Sequence, residues 1–184
     1  MSKLRKQSII IGILIICSFV FGVLSIEPSI DSDEYLGTVA DNISTVKIAL
    51  VSQLLLAFTY ITIAIMIFNV IVKFDTEISY GYLVFKSVAQ VFNIFGTILI
   101  IAFIALSKEY GEGSSENFSM YVLIGEILKS TRDYANHVVM ILLNNIAVFI
   151  FSFIAFQYKI IPRWISLLGF LGAFVSGIAS LPEI

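Results

Sequence analysis

The side chains best able to do chemistry stand on two predicted helices, where their spacing arranges them in stripes. On an α-helix at 100° per residue, five polar residues fall within about 40° of one line. They are Glu126, Ser130, Asp133, His137 and Asn144. This stripe is about 27 Å long, close to the hydrocarbon thickness of a bilayer. Because polar groups at membrane depth must face protein or water, we expect the neighbouring helices to be arranged around it.

A second polar stripe is predicted on the preceding membrane-spanning helix. Four residues again lie within about 40° of one line there, namely Lys86, Gln90, Asn93 and Thr97. Counted at 1.5 Å per residue from the expected inner interface, Asn93 lies at a depth of about 20 Å and Asn144 at about 18 Å. We therefore expect these two asparagines to contact each other within a buried polar layer. Its candidate residues are Lys86, Gln90, Asn93, Thr97, Asn144 and Gln53. Two interpretations stay open, a ligand site and interhelical contact without function.

The same conversion of residue number to depth separates the opposite charges of Lys86 and Asp133. Lys86 lies at about 9 Å and Asp133 beyond about 34 Å, so no pair is expected between them. Lys86 can extend toward the headgroups on its own side of the membrane. If it points into the bundle instead, it needs a hydrogen-bond acceptor there.

The outer part of the first stripe is a second candidate site, formed by Glu126, Ser130, Asp133 and His137. His137 follows Asp133 by one helical turn, so the two can share a hydrogen bond and form a proton-responsive site. An ordinary interfacial histidine is the alternative. The acidic residues and His137 extend over about 16 Å of helix, too far apart to bind one ion, and we expect no metal.

Enzymatic signatures are missing from the sequence. It contains no H-E-x-x-H, G-x-S-x-G, P-loop or dinucleotide-binding motif. With one histidine and one cysteine, Cys17, there is little from which to build a nucleophile–base pair. A net charge of −2 gives no sign of nucleic-acid binding. We therefore favour a non-enzymatic protein without a cofactor and without a nucleic-acid partner.

Membrane-spanning helices must position these residues, because the chain consists largely of long apolar runs. Of its 184 residues, 59% are hydrophobic and 13% are charged, against roughly 25% charged in soluble domains. We predict an all-α, polytopic membrane helical bundle that forms a single transmembrane domain over residues 1–184. The five predicted spans cover about residues 8–26, 45–73, 80–107, 134–157 and 164–181.

The segments between the spans are polar. Residues 27–44 form an acidic connection, and the glycines and serines of residues 108–117 predict a loop. Residues 118–133 are too charged for a span; they are either an amphipathic segment at the interface or an extension of the fourth span. The first apolar run, of about 19 residues, favours a retained helix over a signal peptide.

The distribution of Lys and Arg predicts the orientation, because these residues are enriched in cytoplasmic loops. With the N-terminus inside, the inner segments contain Lys3, Arg5, Lys6, Lys73, Lys159 and Arg163. The outer ones contain Lys47 and Lys108, with Lys129 and Arg132 in addition if the interfacial segment lies outside. We predict a bacterial inner-membrane protein with a cytoplasmic N-terminus and an outside C-terminus. Its expected partners are the lipid bilayer and, on small-residue helix faces, a packing helix or a second copy.

The turn before the fifth predicted span carries a distinctive run, Ile161-Pro162-Arg163-Trp164-Ile165-Ser166 followed by Gly169 and Gly172-Ala173. Four other short runs contribute to the resemblance described next: Tyr35-Leu36, Val39-Ala40 with Asn42, Gly81-Tyr82 with Phe85, and Arg132-Asp133-Tyr134-Ala135. In these residues the chain resembles, over nearly its whole length, a family of small bacterial and archaeal multi-pass membrane proteins catalogued as domain of unknown function 4386. The resemblance implies location and topology but no mechanism, because no activity is established for the family.

Two departures from the family pattern concern the third helix and the C-terminus. Members usually have arginine and then glutamate where this chain has Lys86 and Gln90. Members are also commonly longer, with one more helix after the segment that ends here at Ile184. A truncated or shorter chain would leave one face of the bundle uncovered.

Three function classes follow. The first is an integral membrane protein of unknown biochemical function that acts as a binding or accessory component. The second is a small transporter or proton-coupled permeation unit that uses the buried polar layer, although no carboxylate is predicted at mid-depth. The third, a lipid-modifying enzyme, lacks nucleophile pairs. A water-accessible cavity beside Asn93 and Asn144 would favour the transporter, and a closed layer would favour interhelical contact.

Overall fold

The computed structural model describes residues 3–112 and 118–180, and all regular structure within those ranges is helical. The prediction of an all-α fold is therefore confirmed. In chain order the helices are α1 (Lys3–Leu24), α2 (Pro28–Asp31), α3 (Tyr35–Asp41), α4 (Ile43–Ile71), α5 (Thr76–Glu112), α6 (Phe118–Asp133), α7 (Met140–Gln157) and α8 (Arg163–Ala179). A π-helical turn, Tyr134–Val139, joins α6 to α7.

Four of the described helices are long and apolar enough to cross a membrane: Arg5–Leu24, Ile43–Ile71, Thr76–Glu112 and Phe118–Gln157. A fifth apolar helix, α8, has 17 residues and a length of about 26 Å, slightly less than a bilayer core. The structure is thus approximately consistent with the five predicted spans. The chain is a multi-pass membrane protein by the length and composition of its helices.

The spanning helices pack side by side, with α5 at the centre. Helix α4 packs between α1 and α5, and α7 packs between α5 and α8. Contact between α4 and α7 is sparse. A space therefore remains between these two helices on one side of α5, and the candidate polar residues face it.

Helix α1 presents apolar side chains on nearly all of its surface. Only 6% of the residues in its most apolar 18-residue stretch are buried, and Ile16, Phe19 and Val23 are among its exposed residues. Such a surface is unfavourable in water and stable in hydrocarbon, so the faces of α1 directed away from α4 suit a lipid bilayer.

The acidic connection predicted over residues 27–44 contains two short helices, of which α3 packs on α5 and α2 packs on α3. We name this assembly the cap. Val39 is fully buried there, and the ring of Tyr35 contacts Phe103 edge-on. The Tyr35 hydroxyl donates to the Val122 carbonyl oxygen at 3.0 Å. Burial raises the pKa of Tyr35 above its ordinary value, with the Glu126 carboxylate contributing, so the hydroxyl keeps its proton at neutral pH.

Helix α5 is longer than predicted. It continues to Glu112, although a loop was expected from residue 108. The Tyr110 ring lies 4.3 Å from the Phe118 ring and 6.5 Å from the Tyr121 ring, centroid to centroid. This packing against α6 keeps the last turns helical despite their polar composition. Gly113, Ser114, Ser115 and the rest of the predicted loop up to residue 117 lie outside the described residues.

Residues 118–133 form an extension of the fourth span and not a separate interfacial segment, so the second of the two alternatives given above applies. Helix α6, the π turn and α7 form one continuous helical segment, Phe118–Gln157, of 40 residues. At 1.5 Å per residue this is about 60 Å, twice the thickness of a bilayer core. Helix α6 therefore projects from the membrane-spanning region into the cap.

The opposite side of the molecule, which we name the turn end, holds the two tight connections at residues 72–75 and 158–162. A small core of Ala64, Ile71, Tyr82, Ala147 and Ile154 ties α4, α5 and α7 together there. Helix α8 approaches α7 closely where a Cβ atom at Gly169 would overlap the Ser152 hydroxyl. A small residue of α8, Gly169, therefore lies at a close contact between the two helices.

Candidate functional site

A cavity of about 370 Å³ lies between α4, α5 and the helical segment around the π turn. It begins under the cap and extends toward the middle of the spanning helices. We name it the central cavity. Apolar side chains such as Leu56, Ile100 and Met140 form part of its wall. Its polar lining residues are Ser25, Glu27, Asp31, Gln53, Tyr60, Gln90, Asn93, Arg132, Asn136, His137 and Asn144.

The middle of the cavity is lined by a hydrogen-bonded part of the predicted polar layer. Gln53 of α4 donates from Nε2 to Asn93 Oδ1 of α5 at 2.9 Å. Asn93 in turn donates from Nδ2 to Gln90 Oε1 at 3.3 Å. The Thr97 hydroxyl donates to the Asn93 carbonyl oxygen at 2.9 Å, within α5. All four side chains are buried, so this part of the layer joins α4 to α5 with its polar groups paired.

Asn144 also lines the cavity, but its partner is Lys86 and not Asn93. The Lys86 ammonium donates to Asn144 Oδ1 and lies 5.2 Å from the centre of the Tyr60 ring. Depth counted from Cα positions placed Lys86 about 9 Å nearer the turn end than Asn144, and the long lysine stem bridges that difference. Lys86 therefore points into the bundle, and the direct Asn93–Asn144 contact that we expected is replaced by Gln53–Asn93 and Lys86–Asn144.

A second cavity, of about 280 Å³, lies on the turn side of Lys86 between α1, α4, α5 and α7. We name it the turn-side cavity. Tyr60 lines both cavities, and the Lys86–Asn144 bond lies between them. Apart from Lys86, Tyr60 and Ser18 its wall is mostly apolar, including Ile63, Tyr82 and Phe151.

At the cap end, Arg132 of α6 is the principal charged group of the central cavity. The residue is 8% exposed, and its Nη2 donates to Asp31 Oδ1 of α2 at 3.2 Å. Its Nε lies 3.5 Å from Asp133 Oδ1. The remaining nitrogen, Nη1, is buried without a hydrogen-bond partner in the part of the chain that the structure describes. Arg132, which lines the cavity, therefore retains one donor nitrogen whose N–H groups are unused.

Glu27 contributes a carboxylate to the same end of the cavity. It is the N-cap of α2, where Pro28 occupies the first helical position, and its Oε1 accepts hydrogen bonds from Ser29 N at 3.1 Å and Ser29 Oγ at 2.6 Å. These two bonds hold the carboxylate in place. Its other oxygen, Oε2, is buried and has no partner among the described residues, and Glu27 as a whole is 7% exposed.

Asn136, in the π-helical turn, is the third buried polar residue at this end. It is 7% exposed, and its Oδ1 has no hydrogen-bond partner within the described ranges. The amide lies directly against Gly96 of α5, where a Cβ atom would overlap it. Glycine at position 96 thus makes the room for Asn136.

The π-helical turn also explains why the first predicted stripe divides in two. A π-helix has more residues per turn than an α-helix, so the phase expected from Asp133 to Asn144 is not maintained. Glu126, Ser130, Asp133 and His137 stay together and line an outer pocket of about 430 Å³ with Lys129 and Tyr134. Asn144 lies in the central cavity instead, and His137 lines both.

Sequence reasoning did not select Glu27, Asp31, Arg132 or Asn136 as site residues. Asp31 and Arg132 are 101 positions apart, so no local spacing relates them. Asn136 lies off the stripe that was drawn through its neighbour His137. The signals that could have found these residues were the Glu27-Pro28 capping pattern and the family-like run Arg132-Asp133-Tyr134-Ala135.

The central cavity offers charge and hydrogen bonding, which are means of binding. Within residues 3–112 and 118–180, no group of three or more His, Cys, Asp or Glu side chains is placed to hold a metal ion. The one cysteine, Cys17, lies on α1 and does not line the cavity.

Comparisons with known proteins identify a family and no function. Neither a search of curated proteins nor a search of solved structures finds a match. A profile of the family described as "Domain of unknown function (DUF4386)" matches residues 10–183, nearly the whole chain. The protein is therefore a multi-pass membrane protein that belongs to the DUF4386 family.

Proposed function

We propose that this protein binds a small polar ligand in the central cavity and has no enzymatic activity of its own. One observation carries the proposal. Three side chains that are more than nine-tenths buried, Glu27, Arg132 and Asn136, line one end of the same cavity, and each has a polar atom without a partner among the described residues.

The energetics support an occupant that supplies hydrogen-bond partners. A buried polar atom left unsatisfied costs about 1–3 kcal/mol, and more when the group is charged. Interhelical contact without function would be expected to pair its polar groups, as Gln53 and Asn93 do. The cap end of the cavity does not follow that pattern, which favours a binding site there.

A thermal-shift screen of the full chain in lipid nanodiscs tests this proposal. The compounds are amino acids, phosphorylated metabolites, sugars and polyamines, each added at millimolar concentration. A ligand that binds the folded state at 100 times its Kd stabilises it by about 2.7 kcal/mol, enough to raise Tm by several degrees. We expect at least one compound class to do so. A complete absence of stabilisation across the panel would contradict the proposal.

Two asparagine variants locate the binding. Asn136→Leu removes an amide from the cavity wall, whereas Asn145→Leu makes the same change beside Asn144 at a position outside the lining. We expect Asn136→Leu to abolish the ligand-dependent shift and Asn145→Leu to retain it. Asn144→Leu, at the other end of the cavity, serves as a second lining variant if Asn136→Leu does not fold. Equal shifts in both lining variants and in Asn145→Leu would place binding elsewhere.

A second candidate function, small-molecule transport, is favoured by the arrangement of the two cavities. The central cavity begins at the cap and the turn-side cavity lies toward the opposite side, with the Lys86–Asn144 bond between them. Opening of that bond would give a substrate a route between the two spaces, while transport by alternating access further requires that only one of them is open at a time. The Lys86 ammonium would then be the group that a substrate displaces.

Transport is tested with the purified chain in proteoliposomes. A compound that stabilises the protein should accumulate inside the vesicles, and Lys86→Met should change the rate of uptake while leaving binding at the cap end in place. Binding without any uptake above protein-free vesicles would reject the transporter and leave the binding function intact.

We infer that the turn end faces the cytoplasm of a bacterial cell and the cap faces outward. Lys73, Lys159 and Arg163 flank the turns, whereas Glu27, Asp31 and other acids dominate the cap. Alkaline phosphatase fused after position 41 should be active, and the same enzyme fused after position 75 should be inactive. The reverse pattern would overturn this orientation.

A further inference from the structure

We propose that the ligand of the central cavity carries both a primary ammonium group and an anionic group, the ammonium held by Glu27 and the anion by Arg132. This inference rests on the binding function proposed above. It adds the chemical class of the ligand, which follows from the atoms that the cavity leaves unpaired.

The carboxylate of Glu27 is built to receive a hydrogen-bond donor. Ser29 occupies Oε1 with both its backbone N–H and its hydroxyl, so the carboxylate cannot rotate freely. The other oxygen, Oε2, is buried without a partner in the described chain, and Glu27 as a residue lines the cavity. Asn136, another lining residue, likewise has a buried Oδ1 that accepts no hydrogen bond within the described residues. An ammonium group, with three N–H donors, meets this need better than a hydroxyl or an amide.

The Arg132 guanidinium is built to receive an acceptor, but not a simple anion. Its Nε and Nη2 face the Asp133 and Asp31 carboxylates, and only Nη1 remains without a partner among the described residues. Asp31 and Asp133 contact this guanidinium, and Glu27 adds a third carboxylate at the same end of the cavity, which is also lined by the titratable residues Tyr60 and His137. A simple anion would be repelled by this excess of negative charge. A ligand that also carries an ammonium group is attracted to the same carboxylates.

The size of the cavity limits the part of the ligand that enters it. A volume of about 370 Å³ is near the lower end of small-molecule sites, and it accommodates a metabolite or a lipid headgroup but not acyl chains. Two sources therefore share the required chemistry: a soluble zwitterion, such as an amino acid, and the headgroup of phosphatidylethanolamine. The cavity begins where Asp31 is exposed at the cap, so either source can reach it.

Binding of paired probes to the full wild-type chain tests the inference without any variant. In nanodiscs of phosphatidylglycerol, O-phosphoethanolamine and glycine contain both groups, ethanolamine only the ammonium, and acetate and inorganic phosphate only the anion. We expect a zwitterion to bind at least about tenfold more tightly than either single-charge probe, the effect of one charge-assisted hydrogen bond. In a second arm, nanodiscs that contain phosphatidylethanolamine should stabilise the protein and reduce the apparent affinity for the soluble zwitterion if the headgroup is the natural source.

Glu27→Gln and Glu34→Gln form a matched pair for locating the ammonium group. Both changes remove one carboxylate charge from the cap, but Glu34 does not line the central cavity. We expect Glu27→Gln to weaken zwitterion binding at least about tenfold and Glu34→Gln to leave it within about twofold. If Glu27→Gln does not fold, the ranking of probes on the wild type decides the question alone.

The failures of the two proposals are distinguishable. A ligand with no ammonium group that binds tightly, and loses affinity in Asn136→Leu but not in Glu27→Gln, would overturn the zwitterion assignment and keep the binding function. No binding by any probe, in either lipid, together with no hit in the metabolite screen, would overturn both. Tighter binding of acetate or phosphate than of the zwitterions would overturn the assignment directly.

Discussion

The Arg132 guanidinium donates from Nη2 to Asp31 Oδ1 at 3.2 Å, joining α6 to α2 across 101 positions of the chain. The Arg132 side chain is 10% exposed and the Asp31 side chain 56% exposed, so the ion pair is unequal in burial. This bond brings the short helix α2, and with it Glu27, over the end of the central cavity.

This difference in burial predicts that substitution of Arg132 lowers the unfolding free energy more than substitution of Asp31. Arg132→Gln removes a buried charge that faces two carboxylates, and we expect it to lower the unfolding free energy by about 2–4 kcal/mol. Asp31→Asn removes the exposed partner and should cost less than about 1 kcal/mol. Thermal or denaturant unfolding of the purified chain measures both. Equal losses of unfolding free energy in the two variants would contradict this dependence on burial.

The close approach of Gly96 to Asn136 predicts a strict size limit at position 96. Gly96→Ala should destabilise the fold by about 1–3 kcal/mol, since the new methyl group overlaps the Asn136 amide. Gly172→Ala on α8 is the control, because no atom within 4 Å would meet its Cβ, and it should be neutral or slightly stabilising. Adding Asn136→Ser to Gly96→Ala should restore part of the loss. Tolerance of Gly96→Ala without repair would contradict the tight contact.

The bond between Lys86 and Asn144 predicts energetic coupling between the two residues. In a double-mutant cycle with Lys86→Met and Asn144→Leu, we expect a coupling free energy of about 0.6–2 kcal/mol. Asn145→Leu replaces Asn144→Leu in the control cycle and should be additive with Lys86→Met within about 0.5 kcal/mol. Additivity in both cycles would mean that the bond does not contribute to stability.

Tyr35 predicts a pH effect confined to alkaline conditions. Its pKa is raised in the folded protein by burial and then by Glu126 and Tyr110, whereas in the unfolded chain it titrates near 10.0. The folded state therefore holds the proton more tightly, and the resulting stability is present below pH 10 and is lost as pH rises through the folded-state pKa. The stability advantage of wild type over Tyr35→Phe, about 1 kcal/mol at pH 7 from the bond to Val122, should decline above pH 10. A pH-independent difference would contradict this account.

The parts of the structure that depend on local composition were predictable from the sequence. Apolar runs located the spanning helices, and helical periodicity grouped Gln90, Asn93 and Thr97 on one face of α5. The candidate polar layer also included both Gln53 and Asn93, which are hydrogen-bonded, and depth counting separated Lys86 from Asp133, which instead faces Arg132. These relations need only the rise and the twist of an ideal helix.

The parts that depend on tertiary packing were not predictable in the same way. The π turn changes the phase of the helix at Asn136, the Lys86 stem carries its charge away from its Cα depth, and aromatic packing at Tyr110 extends α5. The cap end of the cavity brings together Glu27 and Arg132 from distant segments. Periodicity within one helix contains no information on such contacts.

A co-crystal structure of the full chain with the compound that stabilises it most tests the central claim most directly. The account predicts ligand density inside the central cavity, within hydrogen-bond distance of Glu27 Oε2, Arg132 Nη1 or both. Density for the compound at a different surface, with those two groups paired to other protein atoms and the cavity filled by side chains, would contradict it.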